Sequence, residues 1–327
     1  MLRRIRLIAC AGLLTTSAGL NTDRALAQAP AAPSVAPLTI IVGFGAGGSA
    51  DSIARIVGNQ LGDKIGQKVV IENRPGAGAN IAAKAVIAAA PDGNTLLATT
   101  AALPINNTLY KNKGFEIGDL RAVSIAATTP ETLAVNKSNA AKTLVEFIAQ
   151  SKGKQVTYGT AGVGTGSHIV AAFFFKTVAN IDAAHVPFRS GPDATNALLG
   201  GHTDFMSSSL SGFTAQINSG DIRGIAIATE QRFPVVPGVP TYAEQGFPGH
   251  VYSSWAGFLT GAKVPDATVA RLNAAIVAIL KDKDVNDRLV AIGFAPMSGA
   301  LADSEAFLKA ELESWGRMVR TLGLSVE

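Results

Sequence analysis

The feature that most constrains this chain is a strand, glycine loop and helix unit that occurs twice. The first unit joins the apolar segment 38–42, through the loop 43–48, to an amphipathic helix that Ser49 is predicted to cap. The second joins residues 155–158, through the segment GTAGVGTGSH, to a helix predicted over 169–178. Uninterrupted apolar strands that alternate with helices are typical of parallel sheets with right-handed crossovers. The pattern predicts an α/β protein with two lobes, each a mainly parallel sheet flanked by helices.

Further strands and helices extend both halves in the same manner. Strands are predicted at residues 69–71, 95–100, 184–186, 203–206, 224–228 and 252–259. Helices are predicted at residues 80–90, 193–199, 265–281 and 303–322. We expect residues 37–135 to form lobe 1 and residues 136–250 to form lobe 2. Residues 251–327 are expected to return to lobe 1 and to end in helices.

The N-terminus has the order of a secretory signal peptide. Three arginines among the first six residues precede an apolar stretch over 7–20, and the small residues of the ALA tripeptide end at Ala27. We expect residues 1–27 to be a signal peptide cleaved after Ala27, and the Ala/Pro-rich segment 28–36 to be a disordered tether. The only cysteine, Cys10, lies in this leader, so the mature chain has no disulfide. The expected location is the bacterial periplasm.

The charge balance excludes several classes of partner. The leader carries four arginines and one aspartate, so the formal charge of +4 falls to +1 in the mature chain. A nearly neutral chain without a run of lysine and arginine does not have the basic surface that nucleic acids require. We therefore expect no nucleic acid partner and no binding to an anionic membrane surface.

The first glycine loop permits a dinucleotide interpretation. Gly43, Gly45 and Gly48 have the spacing of a dinucleotide-binding turn, and Glu72 closes the next strand where a ribose-binding acid would lie. Two observations oppose this interpretation. An exported chain does not meet NAD as a normal reagent, and Asp51 lies close to where a pyrophosphate would bind. They do not exclude it, and a dinucleotide-dependent oxidoreductase remains an alternative.

The same loops can instead hold a smaller anion. Glycines between a strand and a helix let main-chain N–H groups converge, and the helix N-terminus adds a favourable potential for negative charge. A carboxylate can then bind without an arginine. Two such loops, one in each lobe, could hold one ligand in a cleft between the lobes.

Seven segments together resemble one family of receptors. They are VGFGAGGSAD, VVIENRPGAGANIAAKAV, PDGNTLL, VTYGTAGVGTGSHI, HVPFRSGPDATNALLGGHTDFM, PGVPTYAEQGFPG and WAGFL, and they span nearly the whole mature chain in the family's order. The chain resembles the solute receptors of tripartite tricarboxylate transporters, the Bug or TctC-type periplasmic binding proteins. The resemblance implies a two-lobed, type II-like periplasmic binding fold whose ligand carboxylate is held largely by main-chain groups and water.

The resemblance also assigns binding residues to the two loops. From the first loop it implies Phe44, Gly45, Ala46, Gly47, Gly48, Ser49 and Asp51. From the second loop it implies Thr160, Ala161, Gly162, Gly166, Ser167 and His168. We expect Asp51 to stiffen its loop rather than to contact the ligand, and Phe44 to close one wall of the cleft.

Two departures from the family pattern bear on the far end of the ligand. The segment before Leu109-Tyr110 keeps Asn106 but lacks the histidine that relatives often carry. Where many relatives have an acidic residue, this chain has Ser207, Ser208 and Ser209. Because these serines carry no negative charge to neutralise a buried ammonium group, we predict a dicarboxylate in preference to an amino acid. Trp255 is expected either in the core or on the cleft wall.

The histidines show no pattern that points to a metal or to catalysis. His168, His185, His202 and His250 lack the spacing of metal ligands, and Ser167 beside His168 lacks the surroundings of a nucleophile. We therefore predict no metal, no cofactor and no enzymatic activity. The expected function is that of a monomeric receptor which delivers a small dicarboxylate to membrane transporter subunits, with an aromatic carboxylate as the alternative ligand.

Overall fold

The computed structural model describes residues 36–327, and these form one compact unit. The predicted signal peptide, and the predicted tether except Ala36, lie outside the described residues. Within residues 36–327, none of the helices combines the length and the apolar character needed to cross a membrane.

The first half of the chain builds a sheet around strand β1. The strands are β1 (Leu38–Val42), β2 (Val69–Asn73) and β3 (Thr95–Thr100), and β1 pairs in parallel with both of the others. The helices are α1 (Ser49–Ile65), α2 (Asn80–Ile87) and α3 (Ala102–Leu109). One face of α1 is apolar because Ile53, Val57 and Leu61 recur at helical spacing, and this face is buried in the same core as β1.

The second half repeats this arrangement. Its parallel strands are β5 (Val156–Thr160), β6 (Ala183–Pro187) and β7 (Phe205–Ser209), with β5 in the middle. Its helices are α4 (Leu144–Ser151), α5 (Gly166–Phe173), which continues as a π-helical segment over Phe174–Ala179, α6 (Gly191–Leu199) and α7 (Thr214–Asn218). Phe147, Phe175 and Phe205 pack edge to face or tilted in its core.

Two long strands join the halves. Strand β4 (Leu120–Asn136) pairs antiparallel with β9 (Ser253–Gly261) as far as Pro130, and from Glu131 onward it pairs with β7 and with β8 (Ile222–Ile227). The strand order is therefore β2-β1-β3-β9-β4-β7-β5-β6, with β8 and the short β10 (Ala295–Pro296) also pairing with β4. The junction of the two halves lies at Pro130 and Glu131.

Three helices complete the chain after β9. They are α8 (Asp266–Leu280), α9 (Lys283–Ala291) and α10 (Leu301–Leu322). Helices α8 and α9 pack beside α1, whereas α10 packs against α3 and β4 and also reaches α5. The chain thus returns to the first half, and α10 contacts elements of both halves.

The α/β class and the two-lobed architecture are confirmed, with one difference in the sheet. Each half contains three parallel strands as predicted, but the sheet is mixed because β4 and β9 run antiparallel to their neighbours. The residue that caps α1 is Gly48, one position before the predicted cap Ser49. Strand β4 and helices α3, α4 and α9 were absent from the prediction.

Candidate functional site

A cleft lies between the two halves at the ends of the glycine loops. Its empty volume is about 470 Å³ when the space at its mouth is included. None of the residues that line it is charged, and eight of the fifteen are serine or threonine. The lining residues are Phe44, Gly48, Ser49, Ala50, Thr100, Ala161, Thr165, Gly166, Ser167, Ser190, Gly191, Ser208, Ser209, Gly212 and Ser254.

Three helix N-termini meet at this cleft. The first residues of α1, α5 and α6 are Ser49, Gly166 and Gly191, and all three line it. The first N–H groups of a helix have no partner within the helix, and the helix dipole places a partial positive charge there. Three converging N-termini can therefore bind a negative group without a cationic side chain.

The caps of α5 and α6 leave amides available to the cleft. The hydroxyl of Thr165 accepts a hydrogen bond from the His168 N–H at 3.2 Å. The cap therefore uses the third amide of α5 and not the amides of Gly166 and Ser167. In α6, the Ser190 hydroxyl accepts from the Asp193 N–H at 3.3 Å. Since the intervening Pro192 has no N–H, the Gly191 amide is the one that α6 offers.

Asp51 fixes the shape of the first loop. Its carboxylate accepts hydrogen bonds at 2.9 Å from the Gly47 N–H, the Arg55 guanidinium and the Asn73 amide. Asn73 also donates to the Phe44 carbonyl at 3.0 Å. Burial acts to raise the pKa of Asp51, but these hydrogen bonds and the charge of Arg55 outweigh it and hold the pKa below its usual value. The carboxylate is thus occupied within its own loop.

Replacing Asp51 with asparagine is expected to lower the free energy of unfolding by about 1–3 kcal/mol near neutral pH, since it breaks a buried charged network. Because the folded-state pKa is depressed, the difference between wild type and D51N should vanish as the pH falls through that pKa, below 3.8. Urea unfolding at several pH values measures this. The matched control Asp63→Asn, at an exposed position on α1, should change little. A difference that persists undiminished in acid would contradict the account.

The two halves touch each other around the cleft. The Gly45 N–H donates to the Arg189 carbonyl at 3.3 Å, and the hydroxyls of Ser49 and Ser211 lie 2.7 Å apart. A Cβ at Gly47 would lie 3.1 Å from the Pro192 ring. The described arrangement therefore has the first loop resting against the start of α6.

The predicted site residues fall into two groups. Those on the cleft wall are Phe44, Gly48, Ser49, Ala161, Gly166, Ser167, Ser208 and Ser209. Those that do not line it are Gly45, Ala46, Gly47, Asp51, Asn106, Thr160, Gly162, His168, Ser207 and Trp255. Ala46 and Gly47 are exposed in the first loop.

The remaining second-loop residues, Thr160, Gly162 and His168, take part in hydrogen bonds and ring stacking within the second half. The His168 and His185 rings stack with their centroids 4.1 Å apart, and the His185 Nε2 lies 2.7 Å from the Thr160 hydroxyl. Burial lowers the pKa of His168 to about 4 and that of His185 to about 3, so both rings are neutral near pH 7. Gly162 packs within this network, since its carbonyl accepts from the Thr165 hydroxyl.

Strand alternation explains the position of Trp255. Neighbouring residues of a strand face opposite sides of the sheet, so Ser254 lines the cleft while the Trp255 ring is fully buried against Phe307, edge to face at 6.1 Å. Ser207 is likewise buried, and its hydroxyl has no hydrogen-bond partner among the described residues. Asn106 is buried in α3, where its amide donates to the Gly78 carbonyl at 2.6 Å.

Several lining residues had no place in the prediction. They are Ala50, Thr100, Ser190, Gly191, Gly212 and Ser254. Thr165 also lines the cleft, and it lies within the segment 160–167 whose amides and hydroxyls we expect to bind a carboxylate. A signal for the third helix start was present, because Ser190 followed by Gly191 and Pro192 is a typical N-cap with proline in the first turn. Thr100 and Ser254 lie at strand positions that no local pattern distinguishes.

Comparison with known proteins identifies the family. The family described as "Tripartite tricarboxylate transporter family receptor" matches residues 53–324. The chain belongs to this receptor family. BugT of Bordetella pertussis is 30% identical to this chain in an alignment 328 positions long, which covers 98% of this chain and 99% of BugT. The predicted resemblance to Bug and TctC-type receptors is confirmed.

Two solved structures of similar proteins contain dicarboxylates. The R. palustris protein Rpa4515 with adipate has a TM-score of 0.84 and 28% identity, over 88% of this chain and 98% of that one. MatC from Rhodopseudomonas palustris with bound malate has a TM-score of 0.82 and 29% identity, over 86% of this chain and 98% of that one. This TctC-family chain is therefore a solute-binding receptor by family and by fold.

Proposed function

We propose that this receptor captures a small dicarboxylate in the periplasm and delivers it to a tripartite tricarboxylate-type membrane transporter. The observation that carries the proposal is the convergence of three helix N-termini on a cleft lined by hydroxyl groups and by no charged side chain. Such a site stabilises a carboxylate through main-chain N–H groups at the helix ends. Adipate and malate in the two similar structures support a ligand of this class.

The other end of the ligand has hydroxyl partners. Ser208, Ser209, Ser254 and Thr100 line the cleft in addition to the helix starts. Hydroxyls can donate to a second carboxylate, but they cannot neutralise an ammonium group, so a diacid fits this lining better than an amino acid. Phe44 is the only aromatic residue in the lining, which favours an aliphatic ligand over an aromatic one.

The lining also favours capture without chemistry. It contains six serines, and no histidine, lysine or acidic residue lies among the lining residues themselves. The family is one of receptors, and the cleft offers binding groups only. Export by cleavage after Ala27, function as a monomer and docking to transporter subunits belong to the same proposal.

A titration of the mature protein, refolded from denaturant to remove bound ligand, tests the ligand class. The panel is malate, succinate, adipate, phthalate, benzoate, aspartate and glutamate. We expect a dissociation constant in the micromolar range or below for at least one of malate, succinate and adipate. Phthalate, benzoate, aspartate and glutamate should bind clearly more weakly. Tighter binding of aspartate or glutamate than of any diacid would contradict the dicarboxylate proposal.

A test of delivery uses the cell. Deleting the gene should reduce uptake of the diacid that binds most tightly, and expression of the wild-type chain should restore it. Unchanged uptake in the deletion strain would contradict the transport part of the proposal while leaving ligand capture intact.

A further inference from the structure

A buried carboxyl group lies directly behind the cleft. Glu131 is the first residue of β4 beyond the junction of the two halves, where its N–H donates to the Tyr252 carbonyl at 3.0 Å. Its carbonyl accepts from the Ala228 N–H at 2.9 Å. The residue is 1% exposed. The position of the side chain is therefore fixed by the backbone that connects the halves.

The carboxyl group is hydrogen-bonded to the wall of the cleft. Its Oε1 accepts from the Ser209 hydroxyl at 3.2 Å, and the Ser167 hydroxyl lies near enough to the carboxyl group to lower its pKa. Both serines line the cleft. A Cβ at Gly166 would lie 2.6 Å from Oε1, so the carboxyl group sits against the first residue of α5. Its Oε2 has no hydrogen-bond partner among the described residues.

No positive charge compensates Glu131 within residues 36–327, where it takes part in no ion pair. On β8, the Arg223 guanidinium donates to backbone carbonyls of residues 137–141. On α5, burial lowers the pKa of His168 to about 4, which leaves that ring neutral. On α10, Glu311 accepts from the indole N–H of Trp315.

The nearby phenols do not compensate it either. Burial, with a contribution from the charge of Glu131, raises the pKa of Tyr242, and burial also raises that of Tyr252, so both remain neutral. A ligand carboxylate at the starts of α5 and α6 would be separated from Glu131 by one serine. Two negative groups so placed without a cation cannot both stay charged without a large cost.

We infer that Glu131 couples the binding of an anionic ligand in the cleft to the uptake of one proton by its own carboxyl group. The proton comes from the acid form of the buffer in the surrounding solvent. The protonated carboxyl group then donates to the Ser209 hydroxyl, whose own proton turns toward the ligand carboxylate. This inference rests on the proposed capture of a dicarboxylate and names the residue that makes this capture depend on pH.

The ionisation of Glu131 falls in a range where this coupling is measurable. Burial raises the pKa of Glu131 to about 7, although the hydrogen bonds from Ser167 and Ser209 lower it in part. Below that pH the free protein already carries the proton, so affinity is constant. Above it, binding must bring in a proton, and affinity falls by as much as tenfold for each pH unit.

Calorimetric titration with malate and with adipate, between about pH 6.5 and about pH 8.5, tests the inference, because both acids remain fully ionised there. Repeating each titration in buffers of different ionisation enthalpy counts the protons taken up. The wild type should take up close to one proton above pH 7 and lose affinity as the pH rises. Glu131→Gln, which mimics the protonated acid, should bind with the wild-type low-pH affinity at every pH and take up no proton.

A matched control and the contradicting outcomes complete the test. The control is Glu311→Gln. Burial also raises the pKa of Glu311, but its carboxyl group bonds to Trp315 and the residue does not line the cleft. This variant should lose affinity with rising pH as steeply as the wild type does. A flat wild-type profile, or a slope that E131Q retains, would overturn the role of Glu131 while leaving dicarboxylate capture standing. If none of the three aliphatic diacids of the panel binds at any pH, the dicarboxylate proposal fails, and the inference about Glu131 falls with it.

Discussion

Replacing Gly191 with valine is expected to reduce ligand affinity at least a hundredfold while leaving the protein folded. Gly191 is the first residue of α6 and lines the cleft. A Cβ built there meets nothing closer than the Ser208 hydroxyl at 3.5 Å, and its next neighbour is the Gly212 Cα at 3.8 Å. The branched side chain would therefore enter the cleft without disturbing the core. It would also cover the amide that α6 offers to the ligand.

The measurement is a titration of G191V with the diacid that the wild type binds most tightly, combined with thermal unfolding. The control is Gly118→Val, because Gly118 lies outside the cleft and a Cβ added there would have no atom within 4 Å. Both variants should unfold within a few degrees of the wild type. Wild-type affinity in G191V would show that the ligand does not bind at the start of α6.

Replacing Gly164 with alanine is expected to prevent the two halves from meeting as they do here. Gly164 belongs to the second loop and has φ +77°, where an alanine is strained by roughly 1 kcal/mol. Its added Cβ would overlap the Asn106 carboxamide and lie 3.1 Å from the Leu109 side chain, both on α3 of the other half. Since the fold within each half need not change, the halves should separate instead, and ligand affinity should fall tenfold or more.

Small-angle scattering and titration measure this effect together. The ligand-bound G164A protein should have a larger radius of gyration than ligand-bound wild type. The double variant N106A/G164A removes the obstructing carboxamide and should bind about as well as N106A alone, which isolates the steric clash from the backbone strain. A G164A protein as compact as wild type and with unchanged affinity would contradict the account of how the halves meet.

The strands that one local pattern governs could be predicted from the sequence. Strands β1 (Leu38–Val42) and β3 (Thr95–Thr100) begin and end at the predicted residues because each is an apolar run with turn residues at both ends. Strand β4 could not be predicted in this way. It passes from one half to the other, so its neighbours change at Pro130, and its polar centre carries no single period.

The same limit applies to helix α3. It contains Pro104 followed by Asn106 and Asn107, which are poor helix formers, and its packing against α10 is a tertiary effect that no local pattern contains. Tertiary contacts, which are remote in sequence, therefore decide this element.

The candidate site also has parts that a local sequence pattern predicts and parts that depend on tertiary contacts. The starts of α1 and α5 follow from the two glycine loops, and the start of α6 was readable from Ser190-Gly191-Pro192. Glu131 and Ser254 were not predictable, because their approach to the cleft depends on how β4 and β9 pair at the junction of the halves. That Ser254 rather than Trp255 faces the cleft is a matter of strand register, which one sequence does not specify.

The most direct test of the central claim is a crystal structure of the mature receptor bound to the diacid that it binds most tightly. We predict that one carboxylate accepts hydrogen bonds, at about 2.7–3.0 Å, from the main-chain N–H groups at the starts of α5 and α6, with no lysine or arginine side chain in contact. A carboxylate held by a cationic side chain, or bound outside the cleft, would contradict the claim that converging helix N-termini make this protein a carboxylate receptor.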